Sequence, residues 1–291
     1  MRTVATAVEP LTLLVVHAHP DDECLGTGGT LARYAAEGVR TVLVTATKGE
    51  EGEMHDPNLT EEEARPRMAE IREGELRRAV AILGLDTLEF LGYRDSGMMG
   101  TPDNDHPRAF ARADLDAATA RVAELVRKHR PHVIVTYDEN GFYGHPDHIN
   151  AHRVAVGAFA LAGDASHTSP SGLEPWQPAK LYYTAVSQSA MAQFGARLRE
   201  AGVQPPIEDA AEEHPWGTPD HLFTTVVDVT PFVEQKRSAL FAHATQMGPD
   251  VFFSKIPPPL FHELFGQEAF RLVTSHVAVS LPEADLFDGL H

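Results

Sequence analysis

The sequence predicts an α/β fold: a Rossmann-like, mostly parallel sheet flanked by helices, with a smaller α+β region toward the C-terminus. Short apolar runs alternate with helical patterns. Polar clusters rich in histidine and carboxylate follow the apolar runs, where ligands bind in such sheets. The 291 residues, 43% hydrophobic and 23% charged, supply a full core without any staple. At roughly 100–200 residues per domain, the length suits a Rossmann-like core over 1–165 and a region over 166–291 that completes the sheet and its pocket.

Residues 11–17, Leu-Thr-Leu-Leu-Val-Val-His, form an unbroken apolar run, the pattern of a strand buried on both faces. A helix over 27–37 stops at Gly38, and 40–45 is the next strand. Thr60 and Glu63 have capping-box spacing; a helix over 68–83 ends at Gly84, before a strand over 88–91. Asp114 caps a helix running to His129, Pro131 stops it, and 132–137 is a fourth parallel strand, followed by a helix over 147–161. The Gly-, Ser- and Pro-rich stretch 163–178 is a loop or linker before a strand over 180–186. Farther on, helices fall near 189–201 and 231–245 and strands near 223–229 and 270–274, while Pro257-Pro258-Pro259 breaks regular structure.

Twenty-four Lys and Arg face 42 Asp and Glu, a formal charge of −18, which repels phosphate backbones and anionic lipid alike. Nucleic acid and membrane surfaces are therefore poor partners. The longest early apolar run is too short for a signal peptide or a spanning helix, so a cytoplasmic location is expected. Cys24 is the sole cysteine, which excludes an intramolecular disulfide and a Cys-based zinc site. Any metal must be held by histidines and carboxylates.

Two segments at strand ends carry such groups: His19-Pro20-Asp21-Asp22 and His145-Pro146-Asp147-His148. The mixture suits a borderline metal such as zinc, which in catalytic sites takes three protein ligands and keeps one position for water. Adjacent Asp21 and Asp22 cannot easily aim at one atom, so one ligates while the other faces the water, the division that hydrolysis requires. A single His-Pro-Asp triplet is often only a turn whose Asp caps the next helix; two of them at strand ends, each extended by another ligand-type residue, outweigh that reading. Arg94-Asp95-Ser96 joins the group from the third strand. Gly26-Thr27-Gly28-Gly29-Thr30 lacks dinucleotide-binding spacing and reads as tight helix packing rather than a phosphate cradle. Glu50-Glu51-Gly52-Glu53 is either a solvated acidic loop or the source of one substrate contact. Cys24 reads as a small buried hydrophobe, and His214, His221 and His262 as surface or packing residues. Spacing alone leaves His243 undecided.

Ala18-His19-Pro20-Asp21-Asp22-Glu23 together with Gly144-His145-Pro146-Asp147-His148 resembles the signature of the LmbE/PIG-L family of zinc-dependent de-N-acetylases. Lys48 to Glu53, Ile71 to Leu76, Arg94 to Met98, Thr136 to Gly141 and Ala242-His243-Ala244-Thr245-Gln246 are similar to its mycothiol branch. That branch holds a deacetylase acting on N-acetylglucosaminyl-inositol and a mycothiol S-conjugate amidase. The likeness is strong over 11–161 and patchy afterwards. It implies that His19, Asp22 and His148 bind Zn²⁺, with Fe²⁺ the alternative, that Asp21 is the general base and that His145 is the general acid. It also implies that Asp147 tunes or orients a catalytic imidazole, that Tyr143 assists the oxyanion, and that Arg72, Asp95, Met98 and Glu53 line the sugar pocket. Phe142 stands where relatives often have Gly, and Gly26 where the two activities carry differing polar side chains. The implied reaction removes the acetyl group from an N-acetylglucosaminyl substrate, releasing acetate and a free amine. An S-conjugate amidase with a roomier pocket is the alternative, and a non-catalytic nucleotide- or sugar-binding module is the competitor from another class. The partner expected is a small amino sugar or pseudodisaccharide; a homo-oligomer is left open.

Overall fold

Seven strands, β1 (Thr12–His17), β2 (Arg40–Thr45), β3 (Thr87–Phe90), β4 (Val133–Thr136), β5 (Lys180–Ala185), β6 (Thr225–Asp228) and β7 (Gln267–Ser275), form one sheet in the order β3-β2-β1-β4-β5-β7-β6. The computed structural model describes residues 10–205 and 217–291. Strands β1 to β5 run parallel, and the C-terminal region adds β7 and β6 as an antiparallel pair along the same sheet.

All six residues of β1 are buried because both faces of the sheet are covered. Leu14 and Val16, with Val42, Val44 and Ile134, pack beneath Val122 and Val126 of α5 (Leu115–His129) and Val154 and Phe159 of α7 (Pro146–Leu161). Leu13 and Val15, with Leu43, Val133 and Val135, pack against Leu31 and Tyr34 of α2 (Gly28–Ala36) and Leu76 of α4 (Met68–Leu83). Each such side chain contributes roughly 1.5–3 kcal/mol when fully buried. The helix ends behave as their residues require. Thr60 and Glu63 form the full capping box of α3 (Glu61–Ala64), Asp114 accepts the amides of Asp116 and Ala117, and Gly84 closes α4 at φ 76°.

Some expectations need correction. The chain turns helical directly after the carboxylate pair, in α1 (Asp22–Gly26), before α2 begins. The helix placed near 231–245 is only α9 (Val233–Leu240), and the chain then descends through turns in which His243 N–H donates to Leu240 O and Gln246 N–H to His243 O. The triple proline does not break structure. Pro257 is the N-cap of α11 (Pro258–Leu264), and the other two prolines occupy its first turn, where a missing N–H costs nothing. A short α10 (Phe252–Lys255) and the full length of β7 carry no clear sequence signal, while α6 (Gly141–Gly144) and α8 (Gln188–Glu200) complete the α-helices among the described residues.

The glycine-rich start of α2 is a packing device, as expected. Glu268 of β7 accepts the Gly29 and Thr30 amides, both at 2.8 Å, and is neutralised by Lys236 Nζ at 2.7 Å. An internal carboxylate thus occupies the helix N-terminus. A Cβ on Gly29 would lie 2.5 Å from Val229. His221 and His262 are exposed; His214 lies outside the described residues. Among the described residues no helix is long and apolar enough to cross a membrane.

Candidate active site

The chain leaves β1 toward β2 and β3 on one side and returns to β4 on the other, so the loops after β1 and β4 diverge and leave a crevice between them. One loop carries His19, Asp21 and Asp22; the other carries Tyr143 and His145 and leads into Asp147 and His148 at the start of α7. Asp95 and Ser96 arrive from beyond β3, and Arg72 from α4.

Three residues converge, Asp22 meeting the two imidazoles through different carboxylate oxygens. His19 Nδ1 lies 3.2 Å from His148 Nε2 and 3.5 Å from Asp22 Oδ2, and His148 Nε2 lies 3.5 Å from Asp22 Oδ1. A tetrahedral ion with nitrogen and oxygen ligands at about 2.0–2.1 Å spaces those ligands about 3.3–3.4 Å apart, so the triangle fits a metal such as zinc. Each donor is held from behind. Asp22 Oδ2 accepts the Tyr137 hydroxyl (2.7 Å) and the His19 amide (2.8 Å), and the His148 ring stacks on Tyr137 at 4.3 Å. On the far side of His19, Nε2 lies 3.2 Å from Asp147 Oδ2 and 3.5 Å from Asp95 Oδ1. Asp147 in turn accepts both the amide and the hydroxyl of Ser96. This carboxylate backing fixes the tautomer and raises ligand basicity.

The charge balance agrees with the geometry. Burial works against the His19 imidazolium, yet Asp95, Asp147 and Asp22 hold its pKa well above the ordinary value. Burial would raise Asp22, but His148 and His19 hold it well below the usual carboxylate range. Burial lowers the His148 pKa to about 3, against the pull of Asp22. Carboxylates outnumber the positive charge here, and a divalent cation would redress the excess.

Asp21 stands beside the triangle at φ 106°, a left-handed conformation that costs a non-glycine residue of order 1–3 kcal/mol. Burial, opposed by Arg72 and aided by Asp22, lifts its carboxyl to about 6. His145 caps α7 and its Nδ1 accepts the Asp147 amide (3.1 Å), so the neutral ring carries its proton on Nε2. Burial and nearby His19 lower its pKa. The Asp147 carboxylate therefore orients His19 rather than His145. Tyr143 lies edge-on to His148 (5.1 Å) and His145 (6.1 Å).

The sugar-pocket set is divided. Arg72 and Asp95 are buried against the cluster. Arg72 donates to Gly49 O (2.8 Å), Pro20 O (2.5 Å) and Asp21 Oδ2 (3.0 Å). Asp95 accepts the amides of Gly97 (2.8 Å) and Glu51 (3.2 Å). Met98 is exposed, and the exposed Glu53 carboxylate turns to His55 Nε2 at 3.0 Å. Tyr137, Glu23 and His243, to which the sequence gave no role, are also at the site, and Ser96 of the Arg94-Asp95-Ser96 group lies on Asp147. Tyr137 had a signal in its place at the end of an apolar strand, and Glu23 and His243 in the segments that resemble the family. Cys24 is fully buried, and burial with neighbouring Glu23 pushes its thiol well above the usual value, as befits a core residue.

A crevice at the switch point, a His–Asp–His donor set and a carboxylate alongside give the Rossmann-type sheet the layout of a metal-assisted hydrolase. The family model for PIG-L, GlcNAc-PI de-N-acetylase, matches residues 14–159. The chain belongs to this family. It is 46% identical over 288 residues, 96% of its own length and 89% of the relative's, to a 1D-myo-inositol 2-acetamido-2-deoxy-α-D-glucopyranoside deacetylase of Catenulispora acidiphila. It is 49% identical over 241 residues to a deacetylase of the same description from Thermobifida fusca, covering 81% of this chain and 83% of that one. The fold is shared with the N,N′-diacetylchitobiose deacetylase of Pyrococcus horikoshii, with a TM-score of 0.61 at 20% identity, over 91% of this chain and 84% of the other.

Proposed function

We propose that the protein removes the acetyl group from 1D-myo-inositol 2-acetamido-2-deoxy-α-D-glucopyranoside, releasing acetate and the free amino sugar. The triangle of His19 Nδ1, Asp22 and His148 Nε2 with Asp21 beside it carries this reading, and relatives described by that activity, matching over most of the chain, supply the substrate. These three residues would hold Zn²⁺. When bound there, the metal acidifies water and polarises the acetamide carbonyl.

The remaining steps belong to the chain. Asp21 accepts the proton of the attacking water. Asp147 and Asp95 keep His19 Nε2 engaged, and Tyr137 keeps Asp22 aimed. The Tyr143 hydroxyl donates to the oxyanion as the carbonyl carbon becomes tetrahedral. His145, when doubly protonated, passes a proton from Nε2 to the departing amine and is left as the neutral imidazole. A second reading is favoured by the Asp147 amide on His145 Nδ1, which opposes the doubly protonated ring: neutral His145 donates to the oxyanion, and Asp21 returns the proton it took. The 1–165 segment carries these groups, and 166–291 completes the sheet behind them.

Release of the free amine from the inositol glycoside, from N-acetylglucosamine, from N,N′-diacetylchitobiose and from a thiol S-conjugate, with and without chelator, tests the proposal. Turnover of the inositol glycoside above the others, abolished by chelator and restored by Zn²⁺, supports it. Preference for the S-conjugate would assign the chain to amidase chemistry instead.

A further inference from the structure

Glu23 and His243 are 220 residues apart in sequence, yet their fully buried side chains meet, Oε1 to Nε2, at 2.7 Å. The other oxygen, Glu23 Oε2, accepts the backbone amide of Asp21 at 2.9 Å, and the Cys24 thiol donates to Oε1 at 3.0 Å. The amide so held belongs to the residue at φ 106°, and a non-glycine residue stays in that region only where its surroundings over-determine it.

The rest of the 243–246 turn reinforces the same loops. The amide and hydroxyl of Thr245 donate to Glu75 at 2.8 and 2.6 Å, Thr245 O accepts the His55 amide at 2.8 Å, and Gln246 Nε2 donates to Glu53 O at 2.8 Å. Glu75 lies on α4 three residues beyond Arg72, which donates to the Asp21 carboxylate and to Pro20 O. Both holds on Asp21, through its amide and through its carboxylate, are thus backed by one turn of the C-terminal region. Asp22 is aimed independently, by Tyr137 and the His19 amide.

We propose that Glu23 and His243 are positioning residues for the reaction: His243 anchors Glu23, and the Glu23 carboxylate holds the Asp21 amide and so the aim of the Asp21 carboxylate. A buried ion pair is a poor source of stability compared with apolar residues of the same volume. What this pair adds is an acceptor fixed beneath one amide. The proposal rests on reading Asp21 as the base.

The test compares His243→Ala, His243→Gln, Glu23→Leu and Glu23→Gln in the full chain, measuring steady-state kinetics, zinc content and hydrogen exchange of the Asp21 amide. His243→Ala and Glu23→Leu are expected to lower kcat by roughly 10–100-fold, with KM and zinc stoichiometry unchanged and faster exchange at Asp21. The Gln variants keep a hydrogen-bonding group in place and recover most of kcat. Wild-type kcat in Glu23→Leu, or a loss that the Gln variants share in full, overturns the proposal, as does a loss that follows zinc content. Exchange at Asp21 reads the hold on the base without any substrate. If the wild-type chain fails to deacetylate, the functional reading falls while the exchange data still decide whether the pair holds Asp21; if turnover is sound and exchange is unmoved, only the pair's role falls.

Discussion

Arg72 Nη2 lies 3.0 Å from Asp21 Oδ2, inside a pocket where the same guanidinium is already taken up by Gly49 O and Pro20 O. Three of the five guanidinium N–H groups are spent on protein acceptors, one of them the Asp21 carboxylate, so the charge of Arg72 acts directly on that carboxylate. Arg72 opposes the rise of the Asp21 pKa, so removing it sends that pKa upward. A base with a raised pKa is ionised only at higher pH. Arg72→Met should therefore move the acidic limb of the kcat/KM profile to higher pH and lower kcat at neutral pH, with KM nearly unchanged. A profile of unaltered shape with raised KM would return Arg72 to the substrate.

The two neighbouring aspartates should separate cleanly. His19→Ala, Asp22→Ala and His148→Ala each remove one corner of the donor triangle and should lose zinc by elemental analysis. Asp21→Asn touches no corner; it should retain zinc and lose roughly 10²–10⁴-fold in turnover. A zinc-free Asp21→Asn protein that is still folded would exchange the two roles.

Asp147 supports His19 from behind, so its effect should pass through that ligand. Asp147→Ala leaves His19 Nε2 with only the more distant Asp95 and frees the Ser96 amide and hydroxyl. Zinc affinity or activity is expected to fall roughly 10–100-fold, read by competition with a chromogenic chelator. Ser96→Ala should fall in the same direction by less.

Gly29 offers a test of the fold. Inside a helix, Gly→Ala ordinarily gains up to about 1 kcal/mol. Here the new Cβ would meet Val229 at 2.5 Å, and overpacking costs typically about 1–3 kcal/mol. Gly29→Ala should lower Tm. The double variant with Val229→Ala should be more stable than the two single effects predict, a coupling readable by denaturant unfolding.

The apolar run of 11–17, the capping box at Thr60 and Glu63, the stop at Gly84 and the two His-Pro-Asp motifs were legible in the sequence because each is local. Hydrophobic period, caps and metal-ligand chemistry act within a few residues. The same locality made Pro257-Pro258-Pro259 misleading: a proline's effect depends on whether it begins a helix or interrupts one, and that is decided by what the helix packs against. Residue type alone allowed Arg72 and Asp95 to be a sugar grip and left His243 undecided. Tertiary packing turned Arg72 onto Asp21, sealed the α2 N-terminus with Glu268 from the last strand, and placed His243 against Glu23. Partners separated by 51, 239 and 220 residues leave no periodicity in the chain. They meet because the sheet brings its strand ends together, and a buried charge then takes whichever counterpart the fold sets within hydrogen-bonding distance.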